Sequence, residues 1–210
     1  MFREASLVRL LKSLDFIKLR RGVFKLESCH AQIDHFLYFI VRPEKSLVSA
    51  DFGFRNSATE EFSVNAFLRC TAFEFPMREM LDQLNCSMRF SFWRFVSMRG
   101  PCCWPMEDST KLIASISSDL STHLLPFLHS MRTSDDMFER LVSDTEPCPW
   151  FATNAAIRIA QVIYLGRRLR KPLSQLEDIA ATRSLSIRRD LGVDSADSFV
   201  DMVFRDAVLH

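Results

Sequence analysis

The sequence predicts an α+β fold, with an antiparallel sheet of about four strands in the N-terminal half, helices packed on it, and a C-terminal half that is all helical. Short runs rich in β-branched and aromatic residues, such as "HAQIDHFLYFIVR" and "SLVSADFGF", fall in the first half. From Ser109 onward the apolar residues recur at helical spacing instead. Strands followed by helices, without strand–helix alternation, call for helices on one face of an antiparallel sheet.

The first fourteen residues place Phe2, Leu7, Leu10, Leu11 and Leu14 on one side of a helix, with Arg3, Arg9 and Lys12 on the other. "GVFKLES", "HAQIDHFLYFIVR" and "SLVSADFGF" then read as three strands of a meander, separated at Ser28–Cys29 and at Pro43–Lys45. In "NSATEEFSVNAFLRCTAF" both periods are present, and the pair Ser57 and Glu60, spaced as a capping box, decides for helix. Residues 86–98 supply a fourth strand, left through the proline-bounded corner "MRGPCCWP", where Trp104 plugs an end of the core. Leu112, Ile116, Leu120, Leu124, Phe127 and Met131 follow one helical face, which Pro126 should kink or restart. Later helix starts are marked by Ser134, by Thr153, by Ser174 with Glu177, and by Ser195. "DTEPCPW", where Pro147 and Pro149 flank Cys148, divides an α+β domain (1–146) from a helical extension (147–210) packed on the same core.

Composition excludes several classes of function. With 27 basic against 26 acidic residues, the chain as a whole is no electrostatic partner for a polyanion. The basic excess lies at the two ends, seven Lys/Arg against three acids in residues 1–28 and nine against seven in 151–210. No apolar run approaches a membrane span, and the N-terminal stretch carries acids and lacks an apolar core with a small-residue cleavage site. The expectation is a cytoplasmic protein without a membrane segment. Its six cysteines follow no regular spacing, so reduced thiols are expected throughout.

The opening "LLKSLDFIKLRRGVFKL", a leucine-rich helix running into a Phe, a basic turn and a Phe-bearing strand, followed by "ADFGFRN", resembles a family of uncharacterised bacterial α+β proteins over residues 7–56. Asp15 stands where the family pattern has glycine. The resemblance implies an accessory protein and assigns no catalytic residue.

Catalytic and cofactor motifs are sparse. No C-x2-4-C pair occurs, the adjacent Cys102 and Cys103 point opposite ways in an extended chain, and His30 with His35, or His123 with His129, although separated by four and five residues in the H-x3-5-H manner, do not share a face, so no metal and no cofactor is expected. A thiol hydrolase needs a thiolate beside a base. Cys29 with His30, or Cys102 with His123, are the available pairs, against packed thiols as the plain alternative. Five glycines leave little for a phosphate-cradling loop. Nucleic-acid binding rests on "KLRRGVFK" and "GRRLRKP", the second of which ends a helix, where cations suit the dipole.

The strongest functional signal is a sheet face. Alternation along residues 86–99 gives Cys86, Met88, Phe90, Phe92, Arg94, Val96 and Met98 on one side and Ser87, Arg89, Ser91, Trp93, Phe95, Ser97 and Arg99 on the other. Splitting the other strands in the same way gathers Gln32, Asp34, Phe36, Tyr38, Asp51, Arg89, Ser91, Trp93 and Phe95 on one face. Tyr, Trp and Arg together are enriched at binding hot spots. Two readings stand: the helices cover this face, or it binds another protein through Asp34, Phe36, Tyr38, Asp51, Arg89, Trp93 and Phe95. The second is the leading expectation, a non-catalytic protein of immunity or adaptor type, with a thiol-dependent hydrolase and a nucleic-acid module as alternatives.

Overall fold

The computed structural model describes residues 4–27, 32–70, 86, 88–92, 103–106, 108–143 and 154–208, except the side chains of Met88 and Phe90. It is α+β, with its sheet in the N-terminal half and helices throughout the C-terminal half. The contacts divide it into two compact units, Met1–Phe54 with Arg89–Arg132, and Arg55–Met88 with Thr133–His210. The chain thus passes between units three times; "DTEPCPW", where a boundary at residue 147 was expected, lies outside the described residues.

The first unit begins with α1 (Glu4–Ser13), whose Leu7 and Leu11 are buried. A turn through Asp15, at φ +61°, leads into β1 (Phe16–Arg20). That left-handed conformation is one that glycine adopts without steric cost. Arg21 and Gly22 join β1 to β2 (Val23–Leu26). Gly22 has φ +70°, and a Cβ there would meet the Phe39 carbonyl oxygen at 2.7 Å. β3 (Asp34–Arg42) and β4 (Leu47–Arg55) follow, joined by a 3-10 turn over Pro43–Lys45. With β5 (Met88–Ser91) they form a sheet of order β1-β2-β3-β4-β5, and the two-residue β6 (Trp104–Pro105) pairs with β4. β1 and β6 are the strands that the sequence expectation lacked. The exposed Lys18 and Arg20 interrupt the apolar pattern of β1, and two residues in β6 are too few to show a period.

α3 (Ser109–Asp119) starts on Asp108, whose carboxylate accepts from the Thr110 and Lys111 amides at 2.8 and 3.2 Å. A π turn (Leu120–Leu124) carries it into α4 (Leu125–Ser130), with Pro126 in the first turn. Pro126 has no N–H to give to the preceding turn, so the helix restarts there, as expected. The wider turn offsets the ~40° drift that each four-residue step makes on a regular helix. Leu112, Ile116, Leu120, Leu124, Leu128 and Met131 therefore stay in one buried line. Leu128 replaces the expected Phe127 in that line, although Phe127 still meets the Phe52 ring edge-on at 5.7 Å. Trp104 is buried, stacked against Phe39 and Phe92, and its indole N–H donates to Asp119 at 2.8 Å.

The second unit is built around α6 (Ala155–Arg168), buried from Ala155 through Gly166. It is covered on every side, the polar Arg158 and Gln161 included, which places it at the centre of the unit. Around it are α2 (Ser57–Cys70), α5 (Ser134–Ser143), α7 (Leu173–Thr182), α8 (Ser184–Leu191) and α9 (Val193–Asp206). The helix starts shift from the residues expected. Asn56, not Ser57, caps α2 by accepting from the Thr59 amide at 3.1 Å, and Glu60 is buried. Thr133 and Asp136 cap α5 reciprocally, and Asn154 caps α6. α7 starts at Leu173 after Pro172, and α9 starts at Val193 after Gly192, upstream of the expected Ser195. α6 ends with Arg170 at φ +58°, its N–H donating to Arg167 O and that of Lys171 to Gly166 O, the paired bonds of a Schellman motif.

Candidate functional site

The strand register gathers a face within the first unit. Val23 lies across from Tyr38 and Lys25 across from Phe36, so these four side chains share one side of the sheet. Ile17 lies across from Lys25 and extends that side to the edge strand, where it is 41% exposed. The opposite side carries Phe24, Leu37, Phe39 and Phe52. Phe92 joins that second side through its stack on Trp104, ring centroids 5.6 Å apart.

On the first side, the Arg89 guanidinium lies over the Tyr38 ring, 4.0 Å from its centroid. It donates to one oxygen of Asp51, from Nη2 at 2.9 Å and from Nε at 3.2 Å. Tyr38 stacks with Phe36 at 6.3 Å, and Lys25 Nζ bridges Asp34 Oδ1 at 2.6 Å. The ion pairs are half-exposed, with Arg89 at 36% and Asp51 at 24%, so each contributes at most about 1 kcal/mol, and the cation–π contact a similar amount. Their main effect is orientation, because the guanidinium is held flat.

Asp34, Phe36, Tyr38, Asp51 and Arg89 thus come together as alternation predicts. Their exposure differs from expectation. Phe36 and Tyr38 are only 2% and 4% exposed, so they form the floor of the patch, and its accessible part is the charged layer above. Alternation gives the side on which a residue points but not what lies over it. Trp93, Phe95 and Arg94 lie outside the described residues, as does the Phe90 side chain. Lys25 was missed, because its place across from Phe36 depends on the β2–β3 register, which the two-residue turn at Arg21 and Gly22 between β1 and β2 does not set.

The groups considered for chemistry are placed differently. His35 is buried on the other side of β3, where burial lowers its pKa to about 4; the Met131 backbone and the Asp34 charge offset this only in part. Neither of its ring nitrogens has a well-formed hydrogen bond. Cys70, Cys86 and Cys103 are free thiols, and Cys29, Cys102 and Cys148 lie outside the described residues. Burial pushes the Cys70 thiol up, which is opposite to the shift an activated nucleophile needs. Among the described residues no three His, Cys, Asp or Glu side chains gather as metal ligands would. Of the basic stretches, Lys18 pairs with Glu4, Lys25 with Asp34, and Lys171 with both Asp135 and Glu139. No helix among the described residues is long and apolar enough to cross a membrane. No protein-family model, curated protein or solved structure matches the chain, and the resemblance over residues 7–56 has no counterpart in those comparisons.

Proposed function

We propose that this protein acts without catalysis, by binding another protein through the sheet face that carries Lys25, Asp34, Asp51 and Arg89, in an adaptor or immunity role. The observation that carries the reading is the Arg89 guanidinium, laid on Tyr38 and tied to Asp51 with a third of its side chain open to solvent. An arginine ordered in advance loses less conformational freedom when a partner carboxylate or carbonyl binds it. Ile17 gives the face an apolar margin, and the layer of both charge signs favours a partner of complementary pattern over a uniform polyanion.

The test is affinity capture with the tagged full chain, cross-linking and quantitative mass spectrometry, repeated with Arg89→Glu and Asp34→Lys. The wild type should enrich one protein in near-stoichiometric amount, and both variants should lose it while melting within a few degrees of the parent. If the wild type enriches nothing, or both charge reversals keep the partner, the reading fails. A single cysteine that alkylates selectively near neutral pH would speak for the thiol hydrolase instead.

A further inference from the structure

The first unit holds a cavity of about 760 Å³ on the side of the sheet away from Arg89. It lies between α1, the tip of the β1–β2 hairpin and the far end of β3. Its floor is apolar, formed by the buried Leu7, Phe24 and Phe39, with Val41 and Met106 beside them. Volume and lining are those of a small-molecule site, an apolar chamber with few polar groups.

Two charged side chains line it, Glu4 and Arg21. The Glu4 carboxylate already accepts from Lys18 Nζ at 2.8 Å; this bond, with the charges of Lys18 and Arg21, holds its pKa below the usual carboxylate range. Arg21 has no such bond. Among the described residues no carboxylate lies within ion-pair distance of its guanidinium. Lys18, outside the lining, takes the Glu4 carboxylate, so the Arg21 guanidinium is the lining cation without an ion pair, and it is a planar fork suited to a carboxylate. Two turns in the left-handed backbone region, Gly22 at φ +70° and Ser46 at φ +50°, also line the walls. The Ser46 carbonyl accepts from the Met106 amide at 2.8 Å, which ties two wall segments together.

We propose that this cavity binds a small monoanion with an apolar body, in its simplest form a medium-chain carboxylate, with the chain against Phe24 and Phe39 and the carboxylate at Arg21. The opposite charge and an uncharged analogue of the same chain test the two halves of the claim separately. The site is separate from the face proposed to bind protein, and its failure would leave that reading untouched.

The experiment titrates the purified full chain with decanoate, decan-1-ol and decyltrimethylammonium, each below its micellar concentration, by calorimetry. Tryptophan emission is followed in parallel, since Trp104 stacks on the cavity wall Phe39 at 6.1 Å. Decanoate should bind about tenfold more tightly than decanol, and decyltrimethylammonium more weakly than either. Arg21→Gln, at an exposed turn position, should bring decanoate to the decanol level without moving the decanol affinity. Val41→Trp, which narrows the mouth, should weaken all three; the smaller, uncharged Val41→Phe replaces it if that variant melts early. Equal affinity for the three probes, no saturable binding, or a decanoate affinity unchanged in Arg21→Gln would each overturn the proposal.

Discussion

Asp15 and Gly22 adopt similar left-handed backbone angles, φ +61° and +70°, at opposite ends of β1, yet they are opposite cases for mutation. An L-residue in that region carries a penalty of about 1–2 kcal/mol, which aspartate's short polar side chain partly relieves. Asp15→Gly should therefore stabilise the protein, by at most about 1 kcal/mol after allowing for the greater freedom of glycine when unfolded. Gly22→Ala carries the same backbone penalty and also drives a methyl to 2.7 Å from the Phe39 oxygen. It should destabilise by about 2 kcal/mol or more. Urea unfolding of the two variants checks both signs. A lower midpoint for Asp15→Gly would mean that the Asp15 side chain contributes more than its backbone angle costs.

Among the elements, α6 is the one on which the second unit depends, and its tightest approach is at Gly166. A Cβ there would collide with Leu176 Cδ2 on α7 and stand 3.1 Å from Phe138 Cε2 on α5. Alanine in place of glycine inside a helix is worth up to about 1 kcal/mol of propensity. Overpacking costs about 1–3 kcal/mol, and Leu176 and Phe138 are both fully buried with little room to turn aside. Packing should win, and Gly166→Ala should destabilise. Leu176→Ala alone should cost about 2–5 kcal/mol for the space it leaves. The double variant should cost less than the sum of the two by at least about 0.5 kcal/mol, since the new methyl enters the vacated space. Additive losses in the urea cycle would show that the contact with Leu176 does not set the cost.

For the whole molecule, the accessible consequence of burial is the pH dependence contributed by His35. Its folded pKa of about 4 lies below the ordinary value of 6.5, so between those values the unfolded chain binds a proton that the folded chain rejects. Stability from this group is complete above pH 6.5 and is lost as pH falls toward 4. At about 1.4 kcal/mol per unit the full loss is on the order of 3 kcal/mol. Unfolding free energies at pH 7, 6 and 5 should show that slope in the wild type, and His35→Leu should flatten it. A wild-type stability constant over this range would show that the imidazole is protonated or hydrated in the native protein.

The helix–strand order apart from β1 and β6, the side to which Arg89, Asp51 and Tyr38 point, and the restart at Pro126 were legible in the linear pattern. Each follows from a local period or from the covalent chemistry of one residue, and neither depends on distant parts of the chain. Capping residues were legible only to within a position. Asn, Ser and Thr cluster at the helix starts, and geometry selects among them, as Asn56 beside Ser57 illustrates. The burial of Phe36 and Tyr38, the buried Glu60 and Arg158, and the grouping of α2 with the C-terminal helices were decided by tertiary structure alone. Burial is a property of what lies over a residue, and the covering segments lie far away in sequence. A period of two or of 3.6 residues records the direction of a side chain and carries no information about its cover.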